Sequence, residues 1–589
     1  MTADVQKGRW VWCLILVPYF ILGALVPLSP ETPYSDDFDY AATAWHLANS
    51  GILRLSDWPT TMLAGHACWG AIFCKLGGNS YFMLRLSVFA LSAATALALY
   101  AWSRRCGHSR AFSVWCGVTF AVNPLTVSLE YTFLTDITGA ALGTLLVLLG
   151  RELMHTHRSS AHFGYGMLGG FAYLSRQTAA IPYVFALALT ARQVHKAKGA
   201  YRNLAWMLVP FLVGVLGFRY WLTWEHGVPM HHRFQFLQVG NLRHHGERLV
   251  QVLLGLGLQL TPLAAVVLAA RWSAAKTWPW KTIVCTGLGL VVLAALTTRS
   301  FPTPYAGEVF DLGLHALEFP SGEIPRALRG PIWTTGQHDI SLFKTIALAT
   351  AVLSTLVLVS ASLPRAAGTR NQADDWAPSL ATLSLLANGL LLLITWVYVD
   401  RYLVALVPLS IMVLAERLPA QWSSRIWTLT AGWVVTAAMG MLSLVGIQDG
   451  MQRSATFWDT VRQLHALEVS PHDVDAGLAY GGFYRYNPTY RGPHHVGPYL
   501  EQLSAAQREY MRARYSPLTV MDNRPLYVSF GEADGYDVVA RRPFHSWLRA
   551  GEVLVQLRKD VPQTELRAPF VRWLNESGGR PAAGEREGD

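Results

Sequence analysis

What most constrains this chain is a series of apolar runs of bilayer-spanning length. VWCLILVPYFILGALVPL, FMLRLSVFALSAATALALYAW and LFKTIALATAVLSTLVLVSASL each lie near the ~20 helical residues that a hydrocarbon core requires. Composition agrees: 52% of the 589 residues are hydrophobic and 15% are charged, against about a quarter charged in soluble domains. The reading is an all-α polytopic membrane bundle.

About thirteen spans are expected, at 9–29, 81–101, 110–128, 134–150, 162–174, 178–191, 203–224, 248–270, 281–297, 342–363, 377–396, 401–416 and 426–446. The gaps test the orientation. QKGR, SRRCGHSR, RELMHTHR, ARQVHKAKGAYR, RWSAAKTWPWK, PRAAGTR and ERLPAQWSSR alternate with gaps rich in acids and histidines. Basic gaps belong on the cytoplasmic side. This places the N-terminus inside; the compact loops and the absence of eukaryotic retrieval signals favour a bacterial plasma (inner) membrane, crossed many times. The net charge of +10 is spread along those gaps and forms no basic-aromatic groove, so nucleic-acid binding is not expected. The six cysteines show no CxxC or Cys/His metal spacing and read as small buried hydrophobes. The first run lacks a small-residue cleavage site and reads as a retained helix. Spans 162–174 and 178–191 are short and separated only by SRQ; splitting them keeps the charge alternation downstream.

The expected layout is a membrane domain over 1–447, an extracytoplasmic α/β domain over 448–575 and a disordered tail over 576–589. AGLAYGG, PLYVSF and EVLVQLR read as strands of that small domain, and QLSAAQREYMRARY as a helix. Two external loops, 30–80 and 298–341, exceed the ~12–15 residues that usually mark functional segments. In the first, Phe38, Ala41, Trp45 and Ala48 share a helical face, and Asn49-Ser50-Gly51 supplies a stop. A second helix is expected from Pro59 to near Gly77, with Trp69 and Phe73 as interfacial anchors. Helices lying flat there would roof an outer cavity.

Chemistry-bearing residues gather on that outer face. PETPYSDDFDYAATAW crowds Asp36, Asp37 and Asp39 just past the first span. Ser35 suits a helix N-cap, and acids in a first turn each gain ~0.3–1 kcal/mol from the helix dipole. That accounts for one or two carboxylates rather than three, and Asp39 reads as solvated. Asp136 opens an apolar span, where an acid is costly unless it faces a polar cavity. Arg176, in LSRQT, reads equally as a snorkelling cation. Asp400-Arg401-Tyr402 forms an outer turn that also allows a local ion pair. His231-His232 and His244-His245 lack fixed helical spacing and read as solvated loop histidines.

The order of these features resembles the GT-C superfamily of membrane glycosyltransferases, especially the branch of protein O-mannosyltransferases and lipid A aminoarabinose transferases. An external loop opens with an acidic pair and a tyrosine; NP…LTD, GG…LSRQT and RYLVALVPL follow. The resemblance covers about residues 9–420. It implies a sugar on a polyprenyl phosphate as donor, membrane lipids as surroundings, and an extracytoplasmic protein, glycolipid or polysaccharide as acceptor. Asp36 matches the catalytic carboxylate and Asp37 its acidic neighbour. Tyr40 matches the nearby tyrosine, and Asp136 the second-loop acid. Arg176 stands where a cation is frequent, and Arg401-Tyr402 opens the RY…P stretch. A histidine or a divalent cation could assist, although the motifs name no cofactor. After Asp57-Trp58-Pro59 this chain has Thr60-Thr61-Met62 where the aminoarabinose branch tends to show Lys-Pro-Pro, which weakens transfer of donor identity. The competing class is a transporter or flippase for a lipid-linked sugar, which would bury charges mid-span and repeat its halves.

Overall fold

The computed structural model describes residues 10–29, 31–34, 37–55, 62–154, 156, 158–193, 200–227, 242–272, 287, 341–362, 379–395, 400–484, 524–533, 535–548, 550–562 and 568–577. Its helices are α1 (Val17–Leu25), α2 (Asp37–Ser50), α3 (Ala64–Gly77), α4 (Tyr81–Arg105), α5 (Arg110–Ala121), α6 (Pro124–Glu130), α7 (Thr135–Leu153), α8 (Ser159–Ser175), α9 (Ile181–Gln193) and α10 (Ala200–Trp221). There follow α11 (Leu242–Gln259), α12 (Thr261–Trp272), α13 (Ser341–Ser362), α14 (Leu380–Ile394), α15 (Leu406–Arg417), α16 (Ile426–Ala466), α17 (Gly477–Tyr484) and α18 (Ala568–Ser577). The chain is thus mainly helical, as expected.

Local chemistry sets many of the boundaries. Ser80 and Ser109 cap α4 and α5 through their side chains, accepting from the backbone amides of Met83 and Phe112. Asn123 caps α6, and Pro124 occupies its first turn. Gly51 and Gly78, at φ +71° and +89°, carry the chain out of the two loop helices. The first loop helix ends at the expected stop. The second begins at Ala64 rather than Pro59; residues 56–61 lie outside the described residues.

Among the described residues Tyr81–Arg105, Tyr201–His226 and Ile426–Ala466 are long and apolar enough to cross a membrane. Two bent pairs raise the count to five: α5 with α6, at 57°, and the α11–α12 pair, at 72°. The expected span 110–128 is therefore broken, because Asn123-Pro124 starts a new helix inside the apolar run. The expected span 281–297 and loop 298–341 lie outside the described residues. The α8 and α9 helices are separate: Tyr183 lies against Gly169 and its ring sits 5.8 Å from that of Tyr165, so the chain doubles back at Arg176.

The last expected span, 426–446, is only the first half of α16, which runs on for 41 residues in all. That is about 60 Å of helix, twice a bilayer core of about 30 Å. Its second half packs Phe457, Trp458, Val461 and Leu464 on a four-stranded sheet. The strands are β1 (Val474–Asp475), β2 (Leu526–Ser529), β3 (Tyr536–His545) and β4 (Ala550–Arg558). Their order is β1-β2-β4-β3, with β1 parallel to β2 and the other pairs antiparallel. PLYVSF and EVLVQLR are strands as read, whereas AGLAYGG forms α17. The QLSAAQREYMRARY segment lies outside the described residues.

Candidate active site

The loop carrying the acidic cluster is pinned where it leaves α1. Arg85, buried in α4, donates from Nη1 to the Leu28 carbonyl (2.5 Å) and from Nη2 to the Thr32 carbonyl (2.7 Å). Glu31 accepts from the Tyr81 and Phe82 amides at 2.6 and 3.2 Å, capping α4 from outside. Asp37 then opens α2. Its Oδ1 accepts from the Tyr34 amide at 2.8 Å and its Oδ2 from the Phe133 amide at 3.2 Å. Arg85 interacts electrostatically with this carboxylate. Asp37 is fully buried, and two amide donors with a nearby cation are what a buried carboxylate needs. Asp36 lies outside the described residues. Asp39, expected to be solvated, is only 2% exposed, because the first turn of α2 is covered rather than facing water.

The Phe133 peptide joins this acid to the next layer. Its carbonyl faces His66 Nε2 at 3.3 Å, and His66 Nδ1 lies 2.8 Å from Thr138 Oγ1. His66 stacks on the Phe133 ring at 4.0 Å and meets the Tyr40 ring edge-on at 6.3 Å. Burial, together with the positive charge of Arg176, pushes the His66 pKa down to about 4; the contact with the Phe133 carbonyl opposes that fall. The neutral imidazole thus bridges α3 to α7.

In the first turn of α7 stands Asp136, 4% exposed. Arg176 Nη1 approaches its Oδ1 to 3.0 Å and also donates to Thr135 Oγ1 at 2.9 Å. Arg401 Nε lies 3.9 Å from its Oδ2. Arg176 reaches α7 because Gly139 leaves room: a Cβ there would sit 2.7 Å from the arginine Cδ. Both guanidinium groups lie over the Tyr402 ring, at 5.3 and 6.0 Å. Next to Arg176, Gln177 Oε1 accepts from the Met62 amide at 3.3 Å, tying this turn back to the first loop.

The structure therefore brings together Asp136, Arg176, Arg401 and Tyr402, and links them through Thr138, His66 and Phe133 to Asp37 and Tyr40. Two guanidinium groups thus converge on one buried carboxylate. Such a site can hold a phosphate and stabilise negative charge that grows on it. His245 is not part of it: its Nδ1 faces the Leu393 carbonyl at 2.9 Å. His231 and His232 lie outside the described residues. Among the described residues no three His, Cys, Asp or Glu side chains converge to hold a metal.

His66 and Arg85 escape the sequence reading. The signals were present but weak: one histidine in a small-residue helix, AGHACWG, and one cation inside FMLRLSVF.

Residues 66–221 match the family model of the dolichyl-phosphate-mannose-protein mannosyltransferases. The resemblance to the GT-C branch is borne out over this segment, which holds His66, Asp136 and Arg176. No curated protein matches the chain. Several solved structures do. The ArnT of Cupriavidus metallidurans in the apo state has 14% identity and a TM-score of 0.41, over 94% of this chain and 98% of that one. The same protein bound to undecaprenyl phosphate gives 15% and 0.40, over 93% and 98%. The mycobacterial arabinofuranosyltransferase AftD gives 13% and 0.35, over 79% of this chain and 29% of that one.

Proposed function

We propose that this protein is an integral membrane glycosyltransferase that moves a sugar from a polyprenyl-phosphate-linked donor to an extracytoplasmic acceptor. The observation that carries this reading is the convergence of Arg176 and Arg401 on Asp136, from segments far apart in the chain. One carboxylate holds two guanidinium groups together over the Tyr402 ring.

The donor's polyprenyl tail lies among the spans and its phosphate sits against Arg176 and Arg401. As the bond between the sugar and the phosphate breaks, negative charge grows on the phosphate and these cations stabilise it. Asp36 takes the proton from the attacking acceptor hydroxyl or amine. Asp37, already engaged by two backbone amides, holds the loop in place and leaves the base role to its neighbour. Tyr40 and Tyr402 shape the sugar pocket. Displacement by a single attacking group inverts the anomeric carbon.

On this reading the chain crosses the plasma membrane about thirteen times, with the N-terminus cytoplasmic and the C-terminal domain extracytoplasmic. The two bent helix pairs favour one second reading, a flippase for a lipid-linked sugar, since broken spans line transport paths. A radiolabelled polyprenyl-phosphate sugar supplied to the full chain in lipid nanodiscs separates the two. The transferase releases polyprenyl phosphate, and Asp36→Asn slows that release by about 10²–10⁴-fold. An Asp36→Asn protein that inserts normally and still cleaves donor at the wild-type rate contradicts the assignment.

A further inference from the structure

A cavity lined mainly by apolar surface, with a few polar groups, lies beside α2. It encloses about 320 Å³ and is walled by Phe38, Asp39, Thr43 and Trp45 of α2, by Arg54, and by Phe483 of α17. Successive helical residues turn by about 100°, so Asp37 and Asp39 point to nearly opposite sides. Asp37 faces the Phe133 amide, and Asp39 faces this cavity. The two walls are held in register at Gly482, where a Cβ would lie 2.2 Å from the Phe38 ring. Helix α17 is thereby pressed directly onto the first turn of α2 at Phe38, two residues beyond Asp36 in sequence.

We propose that this cavity binds the terminal sugar of the acceptor, an inference that rests on the glycosyltransferase reading. A saccharide presents hydroxyl donors on its edges and C–H groups on its faces. The buried Asp39 carboxylate accepts the former, and the Trp45 and Phe483 rings cover the latter. Arg54, exposed at the rim, donates to ring or hydroxyl oxygens. The volume lies at the lower end of small-molecule pockets, about 300–1,000 Å³. It suits a ring-sized terminal group rather than an extended peptide.

The test uses the full chain in nanodiscs and methyl glycosides of mannose, glucose, galactose and N-acetylglucosamine as probes, read by saturation-transfer NMR. At least one glycoside should bind, and Arg54→Ala or Phe483→Ala should weaken it about tenfold. Both side chains are exposed, so their truncation leaves the fold intact. Binding of none, or equal binding by wild type and both variants, overturns the proposal. Release of polyprenyl phosphate with water as acceptor is measured in parallel and should not change. A fall in that release assigns the cavity to the donor and also overturns it. If the wild type cleaves no donor yet binds glycosides as described, the transferase reading fails while the sugar site stands.

Discussion

Two buried carboxylate–arginine regions invite comparison, one built from three segments and one from a single helix. Asp449 and Arg453 pair at 3.1 Å one turn apart in α16, both almost wholly buried. Ser546 donates to Asp449 at 2.5 Å and the Trp547 amide donates to Gln448 at 2.9 Å. Arg453 also lies 5.8 Å over the Phe530 ring. This region docks the sheet onto the long helix. Asp136 instead gathers two arginines from different turns. The first region joins a helix to a sheet, whereas the second presents two guanidinium groups side by side.

The comparison breaks first, and most heavily, at Asp449. Asp449→Ala leaves Arg453 buried without its carboxylate and should cost about 3–5 kcal/mol of stability. Thermal unfolding in detergent reads that loss, while donor cleavage per folded molecule stays at the wild-type level. Equal losses of both would merge the two regions into one functional unit.

Arg176→Ala should do the reverse. Cleavage of a polyprenyl-phosphate sugar should fall by about 10²–10³-fold, with a smaller shift in melting temperature than Asp449→Ala gives. An unchanged turnover number removes Arg176 from the site.

His66 sharpens the comparison through pH. Its folded pKa of about 4 lies below the usual 6.5. Above pH 6.5 both states are neutral there and it adds no slope. From pH 6.5 down to 4 the unfolded chain takes up a proton that the folded chain refuses. Stability therefore falls on acidification, by about 3 kcal/mol in total. Melting temperature against pH should be flatter in this window for His66→Gln than for the wild type; identical slopes would mean that His66 is not held neutral.

Much of the fold was legible because hydropathy is a property of single segments. The stop at Gly51, the turn at Arg176 and the apolar runs are all local signals. What escaped was decided by neighbours or by competing local rules. Asn123-Pro124 broke a run that hydropathy alone joined. AGLAYGG is too short for its period to separate helix from strand, and packing against Phe38 settled it. The full length of α16 was hidden because hydropathy ends where Asp449 and Arg453 begin, although their one-turn spacing keeps the helix going. Asp136, Arg176 and Arg401 stood out one by one as charges beside apolar spans. Their meeting is tertiary, and no spacing encodes it. His66 and Arg85 gave no pattern of their own, and their importance lies in the carbonyls they reach.

If Arg176 and Arg401, gathered at Asp136, hold the donor phosphate, polyprenyl phosphate should bind through them. Native mass spectrometry of the full chain with polyprenyl phosphate should show binding to the wild type and to Asp449→Ala, and at least about tenfold weaker binding to Arg401→Ala. Equal binding by wild type and Arg401→Ala, or weaker binding only in Asp449→Ala, would contradict the account.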